Sequence, residues 1–194
     1  MINYLSIFVA IICMISCDND NSDEDTLTSD NAFTLNGVKY ETPYCFFEDE
    51  GIEAGNRDLR SYVIELVSDE HDGEPFVYDN PNSHVVTFVL FSPSLTELES
   101  GEYKPTTATD TYLCSKELKP GENLGGIAVG IKLNDEPNKQ VISCVSGTIT
   151  VKKFEDNQYY FSYNTICDNG MTLKGSFKGS VTILDYKKWG CWDD

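Results

Sequence analysis

The stretch Met171–Ile183, MTLKGSFKGSVTI, constrains the fold more than any other part of the chain. Its odd positions are Met171, Leu173, Gly175, Phe177, Gly179, Val181 and Ile183, and its even ones are Thr, Lys, Ser, Lys, Ser and Thr. Period-two alternation puts successive side chains on opposite faces of a β-strand, so one face meets a core and the other meets water. Thirteen residues are long for one flat strand, and Gly175 and Gly179 read as bends or bulges in a curved sheet.

The turn before it, Asp168-Asn169-Gly170, fixes the partner strand. A two-residue Asn-Gly turn would set Ser162 against Phe177. A three-residue loop with Gly170 in the left-handed conformation instead pairs Phe161 with Phe177 and Leu173 with Thr165, which keeps the aromatic rings on one face. It also sets Tyr163 across from Gly175 and Tyr159 across from Gly179, where a ring covers the gap a glycine leaves. A second three-residue loop, Glu155-Asp156-Asn157, pairs Val151 with Phe161 and Ile149 with Tyr163. Val141–Ile183 is then a three-stranded meander. One residue bulged at Ser146-Gly147 would bring Cys144 opposite Cys167, within reach of a disulfide.

The rest of the chain from Ala32 also reads as strands. FTLNGVKYE carries Asn36-Gly37, the strongest short hairpin signal. LRSYVIELVS (Leu59–Ser68) follows, then HVVTFVLFS (His84–Ser92), apolar enough for a central strand covered on both faces. Glu102–Cys114, Gly126–Leu133 and Val141–Lys153 add more, and Ser92–Ser100 is the one helical candidate, with Ser94 as its cap. The expected class is all-β: an antiparallel β-sandwich, or alternatively a curved, calycin-like β-barrel, as a single domain over 32–188 with a short tail at 189–194. The opening resembles that of small secreted bacterial β-proteins.

Charge excludes one class of partner. The chain carries 14 Lys plus Arg against 32 Asp plus Glu, a net −18. Phosphate backbones require clustered cations, so no nucleic-acid partner is expected. The aromatic content, 12%, is too high for a disordered chain.

At the other end, Tyr4–Ser16 is an apolar run of signal-peptide length, too short for the ~20 residues a spanning helix needs. Its end, Met14-Ile15-Ser16-Cys17, resembles the lipobox of bacterial lipoproteins. The resemblance implies a signal peptide over 1–16, cut before Cys17, and acyl chains on that cysteine that fasten the protein to a membrane. Residues 17–31 read as an acidic tether: Asp18–Asp30 holds six carboxylates and no base, and like charges keep such a segment extended. The run also resembles the acidic signal that sends some lipoproteins to the outer face of the outer membrane, with the periplasmic face as the alternative. It is no EF-hand, because Asp23 stands where Gly is needed and Ser29 where the bidentate Glu belongs.

With Cys13 in the signal and Cys17 under lipid, Cys45, Cys114, Cys144, Cys167 and Cys191 remain as disulfide candidates, an odd number. His71 with Asp69 and Asp72 makes a weak metal-site candidate that reads better as an exposed turn, and His84 opens the apolar strand. No zinc spacing, nucleophile elbow or phosphate loop is present in the sequence, so no catalytic residue and no cofactor is assigned. The expected function is a non-enzymatic binding or interaction module on a lipid anchor, with a glycan or a protein as ligand. A periplasmic small-molecule carrier is the first alternative and a secreted hydrolase the second.

Overall fold

The computed structural model describes residues 27–52, 59–70, 82–105, 124–131 and 140–184. They form eleven strands and no helix: β1 (Ala32–Leu35), β2 (Val38–Glu41), β3 (Tyr44–Ile52), β4 (Arg60–Val67), β5 (Val85–Ser92), β6 (Gly101–Pro105), β7 (Leu124–Ile131), β8 (Gln140–Lys153), β9 (Gln158–Cys167), β10 (Thr172–Ser180) and β11 (Thr182–Leu184). All belong to one sheet, in the order β11-β3-β4-β5-β7-β6-β8-β9-β10-β1-β2. The fold is all-β and sandwich-like. The barrel alternative is corrected, because among the described residues β11 and β2 remain as edges and no ladder joins them.

The alternating sequence explains how one sheet makes two layers. Rings from strands far apart in the sheet meet across the interior: Phe47 of β3 stacks on Tyr159 of β9 at 5.3 Å, and Phe88 of β5 lies tilted against Phe161 and edge-on to Tyr163 of β9, at 6.0 and 5.1 Å between centroids. The β3–β5 half therefore folds over the β9 half. Phe33, Tyr62, Phe88, Tyr103, Phe161 and Phe177 are almost wholly buried, and their rings occupy the interior.

A single stretch of chain, β10 and β11, serves both halves of the sheet. β10 pairs with β9 and β1, breaks at Val181, and resumes as β11 parallel to β3 at Phe46–Glu48. Val181 N donates to Asn157 O at 3.0 Å, which holds the break. Strands that change partners at a bend are how a folded-over sheet makes its corners.

The expected meander is present, with the expected register from Ser146 to Ser180. Phe161 faces Phe177, Leu173 faces Thr165, Val151 faces Phe161 and Ile149 faces Tyr163. The loops supply the left-handed residues this register requires: Gly170 at φ 81°, and Asp156 and Asn157 at 54° and 59°. Asn36 and Gly37, at 49° and 87°, make the β1–β2 hairpin. The Tyr163 ring covers Gly175 so closely that a Cβ there would stand 2.4 Å from its hydroxyl, whereas Gly179 is covered by Phe177 rather than by its register partner Tyr159.

One expectation fails outright. Of Ser92–Ser100, Ser92 ends β5 and 93–100 is bends and irregular chain, not a helix. The Ser92 hydroxyl, rather than that of Ser94, organises it, accepting from Ser94 N and Glu99 N while donating to Glu97 O, and Leu98 turns into the core.

Candidate functional site

Cys144 stands where β8 changes partners. Its first residues pair with β7 and its later ones with β6, and Cys144 itself has Ile127 on one side and Cys167 on the other. Beyond it the register slips by one residue at Val145, so that Ser146 faces Ile166 and Gly147 faces Thr165. The bulge expected at Ser146-Gly147 thus begins one residue earlier. Asp168 N donates to Ser143 O at 2.8 Å, which holds the strands together just past the cysteines.

The two Sγ atoms are 2.7 Å apart and buried. That is longer than the ~2.05 Å of a disulfide, so the pair stands as two facing free thiols, and Cys45, in the core opposite Leu66, is free as well. Burial pushes both thiols above their ordinary value. At Cys167 the neighbouring Cys144 adds to the rise, while at Cys144 hydrogen bonds with Cys167 and Thr165 oppose it. Cys17, Cys114 and Cys191 lie outside the described residues.

His84 packs its ring edge against Phe33 and Tyr40, at 5.7 and 5.2 Å between centroids, with Nε2 3.0 Å from Glu41 O. It holds the β1–β2 hairpin against the start of β5. Asp69 accepts the Ser68 hydroxyl at 2.6 Å, and His71 and Asp72 lie outside the described residues. Among the described residues no group of three His, Cys, Asp or Glu is arranged to hold a metal ion.

Carboxylates gather instead on the outer side of β3 and β4. Burial, helped by Glu50, Glu65 and Asp49, raises Glu48 from 4.5 to about 7. A carboxyl with a raised folded-state pKa binds its proton more tightly when folded, so its contribution is fully present below pH 4.5 and is lost as pH rises to 7. Glu48→Gln is therefore expected to stabilise the fold at pH 7.5 by roughly 1 kcal/mol after solvent screening of a half-exposed group. Urea titrations of both proteins at pH 4.5 and 7.5 measure this, and a variant no more stable at pH 7.5 sinks it.

Two features escaped the sequence reading. Asn31, at φ 47°, accepts from Lys178 N at 2.9 Å through Oδ1 and donates to Lys178 O through Nδ2 at 3.3 Å. Its amide side chain thus fastens the start of the domain to β10. The second is the outward face of the meander, whose polar positions belong to one surface only once the three strands are paired. Compared with protein-family models, with curated proteins and with solved structures, the chain shows no match.

Proposed function

We propose that the chain is a lipid-anchored lipoprotein of the cell envelope, held through Cys17 in the outer membrane, whose β domain is a surface-exposed, non-enzymatic binding module. The observation that carries this reading is the order of segments: an apolar run ending in Ser16-Cys17, an acidic stretch, and then a domain whose first strand starts at Ala32. The Asn31 clamp supports it. A pull on the N-terminal segment is borne by hydrogen bonds to β10, the last strand of the meander, rather than by a frayed end. The carrier alternative needs a cavity where this fold has packed rings, and the hydrolase alternative needs converging catalytic groups.

In that location the facing thiols of Cys144 and Cys167 would close to a disulfide on oxidation. Two thiols lose two protons and two electrons, which a disulfide-bearing oxidoreductase outside the cytoplasm accepts as it becomes a dithiol.

Protease shaving of intact cells carrying an epitope tag after Asp194 tests the anchor. The wild-type tag is expected to be lost from intact cells, and Cys17→Ala is expected to be released into the soluble fraction. A tag cut only after the outer membrane is opened moves the domain to the periplasmic face, and a Cys17→Ala protein that stays in the membrane overturns lipid anchoring.

A further inference from the structure

Strand β2 ends the sheet, and among the described residues no strand pairs with its outer side. The two-residue turn Asn36-Gly37 makes Leu35 and Val38 the first bonded pair of the hairpin, so Phe33 with Tyr40 is the next. Thr42 N donates to Asn31 O at 2.8 Å, as that alternation requires. The main-chain groups of Val38 and Tyr40 therefore point to β1, and those of Lys39 and Glu41 point away from the sheet. His84 Nε2 stands 3.0 Å from Glu41 O. A carbonyl oxygen has a second acceptor position, and Lys39 N, Lys39 O and Glu41 N belong to no ladder.

An edge of this kind is a template for a further strand. Proteins blunt edges with proline, a bulge or a cover. Strand β2 has no proline, its register with β1 is unbroken, and three of its four residues are exposed, Val38 at 56%. Lysine is the one blunting device present, and Glu41, two residues on and on the same face, offsets it. The other edge, β11, is three residues long and carries no charge.

We infer that β2 pairs antiparallel with β2 of a second copy of this chain, about a two-fold axis at Tyr40. Charge selects the register. With Tyr40 opposite the partner's Tyr40, Lys39 stands opposite the partner's Glu41 and Glu41 opposite the partner's Lys39. The outward N–H and C=O groups of these residues then exchange hydrogen bonds, and an ion pair forms on each side of the axis. The neighbouring registers that keep the outward groups bonded set Lys39 against the partner's Lys39, or Glu41 against the partner's Glu41. Like charges directly opposite oppose pairing. The two-fold axis supplies both ion pairs from one short sequence, which is why the occupant is a second copy. Lys39 need not leave Asp30, which lies 3.1 Å away. Both side chains are more than half exposed, such a pair holds weakly, and an ammonium with three donors accommodates a carboxylate on either side.

A strand of four residues covers far less than the ~800 Å² per partner of a standard interface. Association is therefore expected at roughly millimolar chain, the order of effective concentration that tethering supplies. Copies fastened through Cys17 to one membrane meet at that concentration, and this step alone rests on the anchoring reading.

Sedimentation velocity of the full chain in detergent, followed up to about millimolar concentration, is expected to show monomer giving way to dimer. Carbodiimide treatment of mixed isotope-labelled and unlabelled chains is expected to join Lys39 of one chain to Glu41 of another, while the Lys39–Asp30 link stays within one chain. Lys39→Glu and Glu41→Lys are each expected to weaken self-association about tenfold, because each sets like charges opposite on both sides of the axis. An equimolar mixture of the two variants is expected to restore it. Glu41→Pro removes an outward N–H and leaves the ladder to β1 intact, so it is expected to abolish the dimer with a nearly unchanged melting temperature. No dimer at millimolar concentration overturns the inference. So does a dimer that survives both single charge changes, or a mixture of the two variants that associates no better than either alone. None of these measurements depends on the lipid, so the anchoring reading stands or falls separately, on the Cys17→Ala release experiment.

Discussion

Replacing Gly147 with alanine is expected to destabilise the domain by about 3 kcal/mol or more, the largest effect of any single methyl group in the meander. Gly147 has φ 120°, where side chains are strained, and a Cβ there would lie 2.2 Å from Asn164 O and 2.6 Å from Thr165 Cα. Both contacts are main-chain atoms of β9, so no rotamer change relieves them. Strand β8 would have to move away from β9, yet Thr165 is fully buried and its hydroxyl donates to Leu173 O at 3.2 Å, which fixes β9 to β10. The methyl therefore pushes against the centre of the meander. Gly170→Ala serves as the comparison: its φ is also positive, 81°, but nothing lies within 4 Å of the added Cβ, so only the backbone preference is lost, about 1 kcal/mol. Urea denaturation of the two variants under one buffer measures the difference. Equal losses would mean that the close approach of β8 to β9 at Gly147 is not part of the folded protein.

That glycine also marks how far the sequence carries. The alternation in Met171–Ile183 names the core face, and Asn and Gly at the loop positions fix the loop lengths, so the β8–β9–β10 register is legible from local chemistry alone. The cysteine pair follows from the same register once one residue is bulged. Other features depend on neighbours that local sequence does not name. Val181 and Ile183 continue the alternation, but the strand leaves β9 at Val181 and joins β3, and Ile183 ends half-exposed. Nothing in the two side chains announces the change of partner. In Ser92–Ser100 the spacing of polar residues suits a helix cap, but the buried hydroxyl of Ser92 and the inward turn of Leu98 set a tighter path. Lys174 and Lys178 stand in plain alternation, and only strand pairing places Lys152 in one row with Tyr160 and Lys178.

Oxidised and reduced protein are expected to melt at temperatures separated by roughly 6–12 °C, because a Cys144–Cys167 disulfide would contribute about 3 kcal/mol. The two residues are 23 apart in sequence, and closing that loop removes freedom from the unfolded chain while asking little of the folded one, whose thiols already face each other. The location of the bond sharpens the expectation. It would pin the bulge at the point where β8 passes from β7 to β9, so the β7–β8 and β8–β9 ladders would be lost together rather than in turn. Burial that raises both thiols keeps them protonated, and the thiolate is the form that exchanges. Formation is then expected early in folding, before the strands close, and the finished bond is expected to resist reductant unless denaturant is added. The double variant Cys144→Ala, Cys167→Ala should show no gap between the two conditions and should melt near the reduced wild type. Cys45, which has no cysteine partner among the described residues and is buried in the core, should stay unmodified by a maleimide until the protein unfolds. A wild type that melts at one temperature with and without reductant, and whose Cys144 and Cys167 both take up maleimide on unfolding without reductant, would show that the facing thiols stay apart and that packing alone holds the bulge.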